Sequence, residues 1–81
     1  MIPRTGYSLV QQSTYQNNQF YQAALQDART QLANELGNNY SVNRVYFSDQ
    51  NSGILAIRII FQTANGYLET LYGINTAVSQ P

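Results

Sequence analysis

The side chains that could perform acid–base chemistry are few and widely spaced in this sequence. The chain has no His, Cys or Lys, and its carboxylates are Asp27, Glu35, Asp49 and Glu69. Acid–base catalysis needs two titratable groups within reach of one substrate. Asp27 and Glu35 would lie about 12 Å apart along a helix, and the other two fall in a predicted hairpin loop and a predicted strand. We therefore predict that the protein is not an enzyme.

Metal and cofactor binding find no better support in these residues. Oxygen ligands for a hard cation would have to converge from a helix, a loop and a strand. Without His or Cys, a Cys/His zinc site and a disulfide framework are both excluded. The sequence also lacks the patterns of phosphate-binding loops, dinucleotide sites, nucleophile elbows and zinc proteases. We predict no metal, no cofactor and no disulfide.

The charge balance bears on the kind of partner. The net charge is zero, only 10% of residues are charged, and the positive charges are Arg4, Arg29, Arg44 and Arg58. No basic excess is present to attract nucleic acid or an anionic membrane over a distance. Low net charge favours association of the chain with itself or with another protein.

Neither a membrane span nor a signal peptide is predicted. Arg58 interrupts the most apolar run, which is far shorter than the ~20 residues of a spanning helix. Met1–Gln12 has Pro3, Arg4 and Gly6 where a signal peptide needs an apolar core. We expect a cytoplasmic or particle-associated location by default.

The most apolar stretch, Gly53–Phe61, predicts the central strand of a sheet. It is rich in β-branched isoleucine and is bounded by turn-forming residues. Alternate residues are apolar on both sides of this strand, with Arg58 as the exception. A strand of this kind is covered on two faces.

A single amphipathic helix is predicted to precede the strands. Apolar residues recur at steps of four from Phe20 to Leu36, which is the spacing of one buried helix face. Ser13 and Thr14 are the candidate N-caps, and Gly37 is the expected stop. We predict a helix from about Thr14–Gln16 to Leu36. Its exposed side would carry Gln19, Gln22, Gln26 and Arg29.

Three antiparallel strands are predicted after the helix, over Ser41–Ser48, Gly53–Phe61 and Tyr67–Ile74. Asn65–Gly66 is a strong signal for a two-residue type I′ turn. That turn would place Phe61 opposite Thr70, Ile59 opposite Tyr72 and Gln62 opposite Glu69. If the residue numbers of opposed residues in the first hairpin differ by an even number, one face of the sheet receives the helix. That face comprises Val45, Phe47, Leu55, Ile57, Ile59 and Phe61, extended by Leu68, Tyr72 and Ile74.

The predicted fold class is therefore α+β, as one domain over residues 1–81: an N-terminal helix on one face of a three-stranded meander. Residues 1–12 form an extended arm, with either a short strand over Tyr7–Val10 or a frayed terminus, and residues 75–81 form a tail. The element order resembles part of a double-stranded-RNA-binding domain. That family ends in a basic helix, whereas Ile74–Pro81 has no basic residue, so nothing of the family is carried over.

The second sheet face carries the functional prediction, because one helix covers only one face. Apolar surface of this extent usually marks an interaction site. The face would carry Val42, Tyr46, Ile54, Ala56, Ile60, Tyr67 and Leu71, with Arg44, Arg58, Gln62 and Glu69 between them. We predict a non-catalytic structural or assembly module, such as a virion, filament or scaffold component, that self-associates through the open sheet face or a sheet edge. The predicted interface residues are Tyr46, Ile54, Arg58, Ile60, Tyr67 and Leu71.

Two alternative functions use the same surface. Stacking aromatic rings and arginines can hold a nucleic-acid single strand, and Arg44, Tyr46, Arg58 and Tyr67 could share the face for this purpose. The other alternative is a small adaptor that binds another protein or a small ligand, with the N-terminal arm as a lid over the sheet.

Overall fold

The computed structural model describes residues 6–50 and 53–74 and has an α+β architecture. Helical segments lie on one face of an antiparallel sheet of four strands in the order β1-β2-β3-β4. The α+β class is confirmed, but the sheet has one strand more than the predicted meander. The elements are β1 (Tyr7–Leu9), α1 (Gln12–Tyr15), α2 (Gln19–Gln31), α3 (Ala33–Leu36), β2 (Tyr40–Gln50), β3 (Gly53–Thr63) and β4 (Gly66–Gly73).

The N-terminal arm contributes the additional strand. β1 pairs with β2 in antiparallel register, with Tyr7 opposite Ser48 and Leu9 opposite Tyr46. The N–H of Val10 continues the pairing by donating to the carbonyl of Val45 at 2.9 Å. Of the two options for this arm, the short strand is therefore the one found. The predicted tail and residues 1–5 lie outside the described residues.

The predicted continuous helix is wrong, because the chain breaks it twice. The Asn18 side chain accepts hydrogen bonds from the N–H groups of Phe20 at 2.8 Å and Tyr21 at 3.0 Å. Asn18 is thus the N-cap of α2, in place of the predicted Ser13 or Thr14, and its extended backbone separates α1 from α2. At Leu32 the backbone leaves helical geometry, with φ −121° and ψ 30°, so α3 is a separate turn.

The predicted apolar stripe does form the contact between helices and sheet. Tyr21, Ala24 and Ala28 of α2 are buried, and Leu36 of α3 is buried beside them. The alanines leave room for the helix to lie close to the sheet. The predicted sheet side of this core is confirmed for Val45, Phe47, Ile57, Ile59 and Phe61, which are buried, and for Leu68, Tyr72 and Ile74, which are partly buried against them. The side chain of Leu55, which was predicted on the same face, lies outside the described part of the structure.

The hairpin between β3 and β4 differs from the prediction by two residues. Phe61 lies opposite Leu68 and Ile59 opposite Thr70, while Thr63 pairs with Gly66. Of the turn residues only Gly66 has a positive φ (122°), and a type I′ turn needs two. The Thr63 hydroxyl reinforces the shifted turn, because it donates to the Gly66 carbonyl and accepts from the Asn65 N–H. A shift of two residues keeps every side chain on its predicted face.

Two irregularities between β2 and β3 do move side chains to the other face. Val42 pairs with Phe61 and Arg44 with Ile60, so Asn43 is an extra residue in β2. A second shift follows Ser48, where Asp49 pairs with Ile54. We predicted Val42 and Ile54 on the open face, and this is wrong. Both are partly buried and pack against the core.

The buried Tyr21 phenol makes stability sensitive to alkaline pH. Burial raises the pKa of Tyr21 above its ordinary value of 10.0, and Tyr15, whose ring centroid is 4.6 Å away, adds to the rise. The unfolded chain therefore releases this proton at lower pH than the folded one. The stabilisation is complete below pH 10.0 and is lost as the pH rises through the raised pKa.

Tyr21→Phe removes the ionisable group and keeps the ring. We expect its urea unfolding midpoint to fall less steeply with alkaline pH than that of the unsubstituted protein. Tyr67→Phe is the control, since Tyr67 is largely exposed, and its pH profile should match the unsubstituted one. Equal slopes for all three proteins would contradict this account of Tyr21.

Candidate interface on the open face of the sheet

Within residues 6–50 and 53–74, the sheet has an open face, which is the side turned away from α1, α2 and α3. Strand pairing arranges its side chains in rows across the sheet. The central row runs from Leu9 on β1 through Tyr46 on β2 and Arg58 on β3 to Leu71 on β4. Cross-strand neighbours in such rows have Cβ atoms about 4.5–5.5 Å apart. The row is therefore a continuous strip of side chains.

Exposed apolar side chains concentrate on this open face. Among the described residues the large hydrophobic side chains that are exposed are Leu9 (52%), Tyr67 (69%) and Leu71 (59%). Leu9 and Leu71 lie at the two ends of the central row. Tyr67 lies on β4 opposite Gln62, two residues before Glu69 along the strand. A concentration of this kind is typical of a surface that contacts another molecule.

Arg58 occupies the middle of the face and is held by neighbours within the chain. Its guanidinium forms an ion pair with the Glu69 carboxylate on β4. The guanidinium carbon also lies over the Tyr7 ring, 4.8 Å from its centroid, which is a cation–π geometry. The hydrogen bond to Glu69 is the main cause that raises the pKa of Arg58. The charge of Arg58 is thus largely compensated inside the protein.

A shallow depression of about 460 Å³ lies beside the central row. Arg44 and Glu69 flank Ile60 in the neighbouring row, because Ile60 pairs with both residues. Tyr46 and Tyr67 complete the apolar part of its lining, and Asn43 lies at its rim. The depression therefore combines apolar and aromatic side chains with one positive and one negative side chain.

The structure brings together most of the residues that the sequence predicted for this surface. Tyr46, Arg58, Ile60, Tyr67 and Leu71 share the open face, whereas Ile54 packs against the core. The four residues of the nucleic-acid alternative, Arg44, Tyr46, Arg58 and Tyr67, also share it.

Sequence reasoning did not include Tyr7 and Leu9 in the site. Their alternation on either side of Ser8 was the available signal, because alternate residues of a strand point to one face. The pattern became informative only once β1 was known to join the sheet beside β2.

The fold and the site together define a class, a small α+β domain with helices on one side of a four-stranded antiparallel sheet and a partly apolar open face on the other. Comparisons with protein-family models, with curated proteins and with solved structures found no match.

Two further kinds of site were considered. Over residues 6–50 and 53–74, no group of three or more acidic side chains is placed to hold a metal ion. In the same residues, no helix has the length and apolar character needed to cross a bilayer.

Proposed function

We propose that this protein is a non-catalytic assembly module whose open sheet face packs against the same face of a second copy. The observation that carries the proposal is the placement of Leu9, Tyr67 and Leu71, which are all exposed and all lie on that face. A zero net charge supports association, because copies of the chain do not repel one another strongly.

A two-fold axis between β2 and β3, parallel to the strands, gives the contact that covers the whole sheet. Such an axis places β1 over β4 of the second copy and β2 over its β3. It does not shift residues along the strand direction, so each row of side chains faces the same row of the second copy. Leu9 then lies against Leu71 of the second copy. Tyr46 lies against Arg58 of the second copy, which adds an aromatic surface to the cation–π contact that Arg58 makes with Tyr7. Sheets packed face to face keep their strands within about 30° of each other.

The size of this contact predicts reversible association. Four strands span about 19 Å, and a strand of eight residues, such as β4, spans about 26 Å. The face therefore covers about 500 Å² per copy, or about 1,000 Å² in total, which is near the lower limit for a specific interface. We expect monomer and dimer to exchange as the concentration changes.

Introducing a complementary pair of charges tests the face-to-face contact. Leu9→Glu or Leu71→Arg alone puts a charge into an apolar contact, and loss of one buried leucine costs about 1.5–3 kcal/mol. Each substitution occurs twice in the symmetric dimer, so each single variant should dimerise about 100- to 10,000-fold more weakly by light scattering. The double variant should regain much of the affinity, because the two new charges meet across the interface.

The control for this experiment is Gln26→Arg, which adds a charge on the exposed side of α2. It should dimerise like the unsubstituted protein. Single variants that dimerise as well as the control, or a double variant no better than either single one, would rule out this face-to-face arrangement.

The two alternatives have less support from the geometry. A single-stranded nucleic acid would be drawn to Arg44, since the Arg58 charge is already compensated by Glu69. An adaptor with an N-terminal lid would need the arm over the open face, and the described strand of this arm, Tyr7–Leu9, extends the sheet at its edge. Binding of labelled oligo-dT at low salt, lost in Tyr46→Ala, would favour the first alternative over self-association.

A further inference from the structure

In the part of the chain that the structure describes, β4 forms a long outer edge of the sheet that is poorly protected against pairing. Its eight residues pair with β3 on one side without any register shift, and β4 is the last strand in the sheet order. Edge strands are usually protected by lysine, proline, a bulge or a very short length. β4 has no lysine or proline, and its one charged residue, Glu69, is ion-paired with Arg58 on β3.

The opposite edge of the sheet, formed by β1, differs in length. β1 has only three residues, and the chain turns into α1 soon after it. A short strand offers few backbone groups for pairing with another chain. β4 is therefore the edge at which a second chain can add several consecutive hydrogen bonds.

We propose that β4 pairs in antiparallel orientation with β4 of a second copy, about a two-fold axis perpendicular to the sheet, so that two sheets join into one. This contact extends the proposed assembly role. It uses the sheet edge rather than the open face, so either contact can exist without the other. A chain that has both could form a filament in which face-to-face and edge-to-edge contacts alternate.

Symmetry and charge select the register of this pairing. A perpendicular two-fold axis makes directly opposed residues come from the same face of the sheet. The registers that overlap most of Gly66–Gly73 put either Glu69 or Thr70 on the axis. An axis at Glu69 would oppose two carboxylates, which is unfavourable in a cross-strand pair. An axis at Thr70 opposes two threonines and places Glu69 opposite Leu71 of the second copy.

Packing on the helix side of the sheet favours the same register. With Thr70 on the axis, Leu68 of the second copy lies opposite Tyr72. Tyr72 lines a groove of about 450 Å³ between β4 and α2, whose other walls include Phe20 and Ala23. The incoming leucine would therefore meet apolar surface beside the groove. With Glu69 on the axis, Tyr72 would instead lie opposite Gly66, which has no side chain to pack there.

Cysteine cross-linking tests the edge contact directly, since the chain has no cysteine of its own. Thr70→Cys, made in the full chain with Leu9→Glu to remove the face-to-face contact, should form a disulfide-linked dimer on mild oxidation. Directly opposed residues of antiparallel strands have Cα atoms about 4.5–5.5 Å apart, which lies within the range for a disulfide.

Two matched cysteines control for register and for random collision. Leu68→Cys would be offset from its own copy by about 14 Å and Tyr67→Cys by about 20 Å, so both should cross-link at least about tenfold more slowly than Thr70→Cys. Tyr67 is the more stringent control for collision, because it is highly exposed. Cross-linking that is equal at all three positions, or fastest at Leu68, would overturn the proposal.

Hydrogen exchange on the unsubstituted protein gives a second readout that needs no cysteine. Amides of β4 should become more protected as the concentration rises, while amides of β1 should not. Unchanged protection of β4 in a protein that does dimerise would overturn the edge contact and leave the face-to-face contact standing. A β4 that becomes protected in Leu9→Glu would support the edge contact, whatever the outcome for the open face.

Discussion

Phe61→Ala is expected to lower the free energy of unfolding by about 3–5 kcal/mol, the usual cost of removing a buried phenylalanine ring. Phe61 is fully buried and lies two residues before the end of β3. Its ring packs edge-on against Tyr40, with 5.6 Å between the centroids, and its neighbours across the strands are Val42 and Leu68. None of these neighbours has a long, unbranched side chain that could move into the cavity left by the ring.

The consequence is severe because the domain is small. A single core in a chain of this size supplies only about 3–5 kcal/mol of stability. The variant should therefore be largely unfolded without denaturant, with loss of cooperative urea unfolding and of near-ultraviolet circular dichroism. Tyr67→Ala removes an exposed ring from the neighbouring strand and should leave the monomer's stability within about 0.5 kcal/mol. Similar losses in both variants would contradict the assignment of the core to the helix side.

Gly37→Ala is expected to cost about 1–3 kcal/mol, although nothing stands in the way of the added methyl group. Gly37 ends α3 with φ 71° and ψ −161°, a conformation that is essentially restricted to glycine. No atom lies within 4 Å of the position a Cβ would take. The cost is therefore backbone strain, and it appears where the chain leaves α3 to begin β2.

Gly73→Ala is a matched control for this prediction. Gly73 also has open space around its Cβ position, but its backbone is not in the positive-φ region. Its substitution by alanine should change the urea midpoint little. If both alanine variants were equally stable, the strain at Gly37 would not be the reason for glycine there.

The parts of the fold that could be predicted from sequence are those with a repeated pattern. The apolar residues of Gly53–Phe61 identified the central strand, and the spacing of Ala24, Ala28 and Leu36 identified the helical contact with the sheet. Each pattern repeats over many residues, so small local errors do not remove it. The faces predicted for the side chains of β3 and β4 were correct although the predicted register of the hairpin was wrong. The register differed by two residues, and an even shift keeps each side chain on its face.

The parts of the fold that were predicted wrongly depend on single residues. Asn18 caps α2 with its side chain, and its sequence surroundings do not distinguish it from Ser13 or Thr14. The extra residue at Asn43 moves Val42 to the core. The partner strand β3 is apolar on both faces, so it gives no alternation against which the bulge in β2 could be recognised. Valine and isoleucine fit either face, so Val42 and Ile54 carried no sign of their position.

The candidate interface was predictable in its chemistry and less so in its extent. Tyr46, Ile60 and Leu71 follow from strand alternation alone. Leu9 could not be assigned, because a three-residue strand has too little pattern to fix its partner. Its pairing beside Tyr46 completes the central row and gives Leu71 an apolar counterpart for face-to-face packing.

The molar mass of the unsubstituted protein as a function of concentration tests the central claim most directly. Sedimentation equilibrium from micromolar to millimolar concentration should show a mass that rises from that of the 9.1 kDa chain to twice that value or more. The rise should be reversible on dilution and weaker in Leu9→Glu. A mass that stays at that of one chain over the whole range would contradict the proposal that this protein assembles with copies of itself.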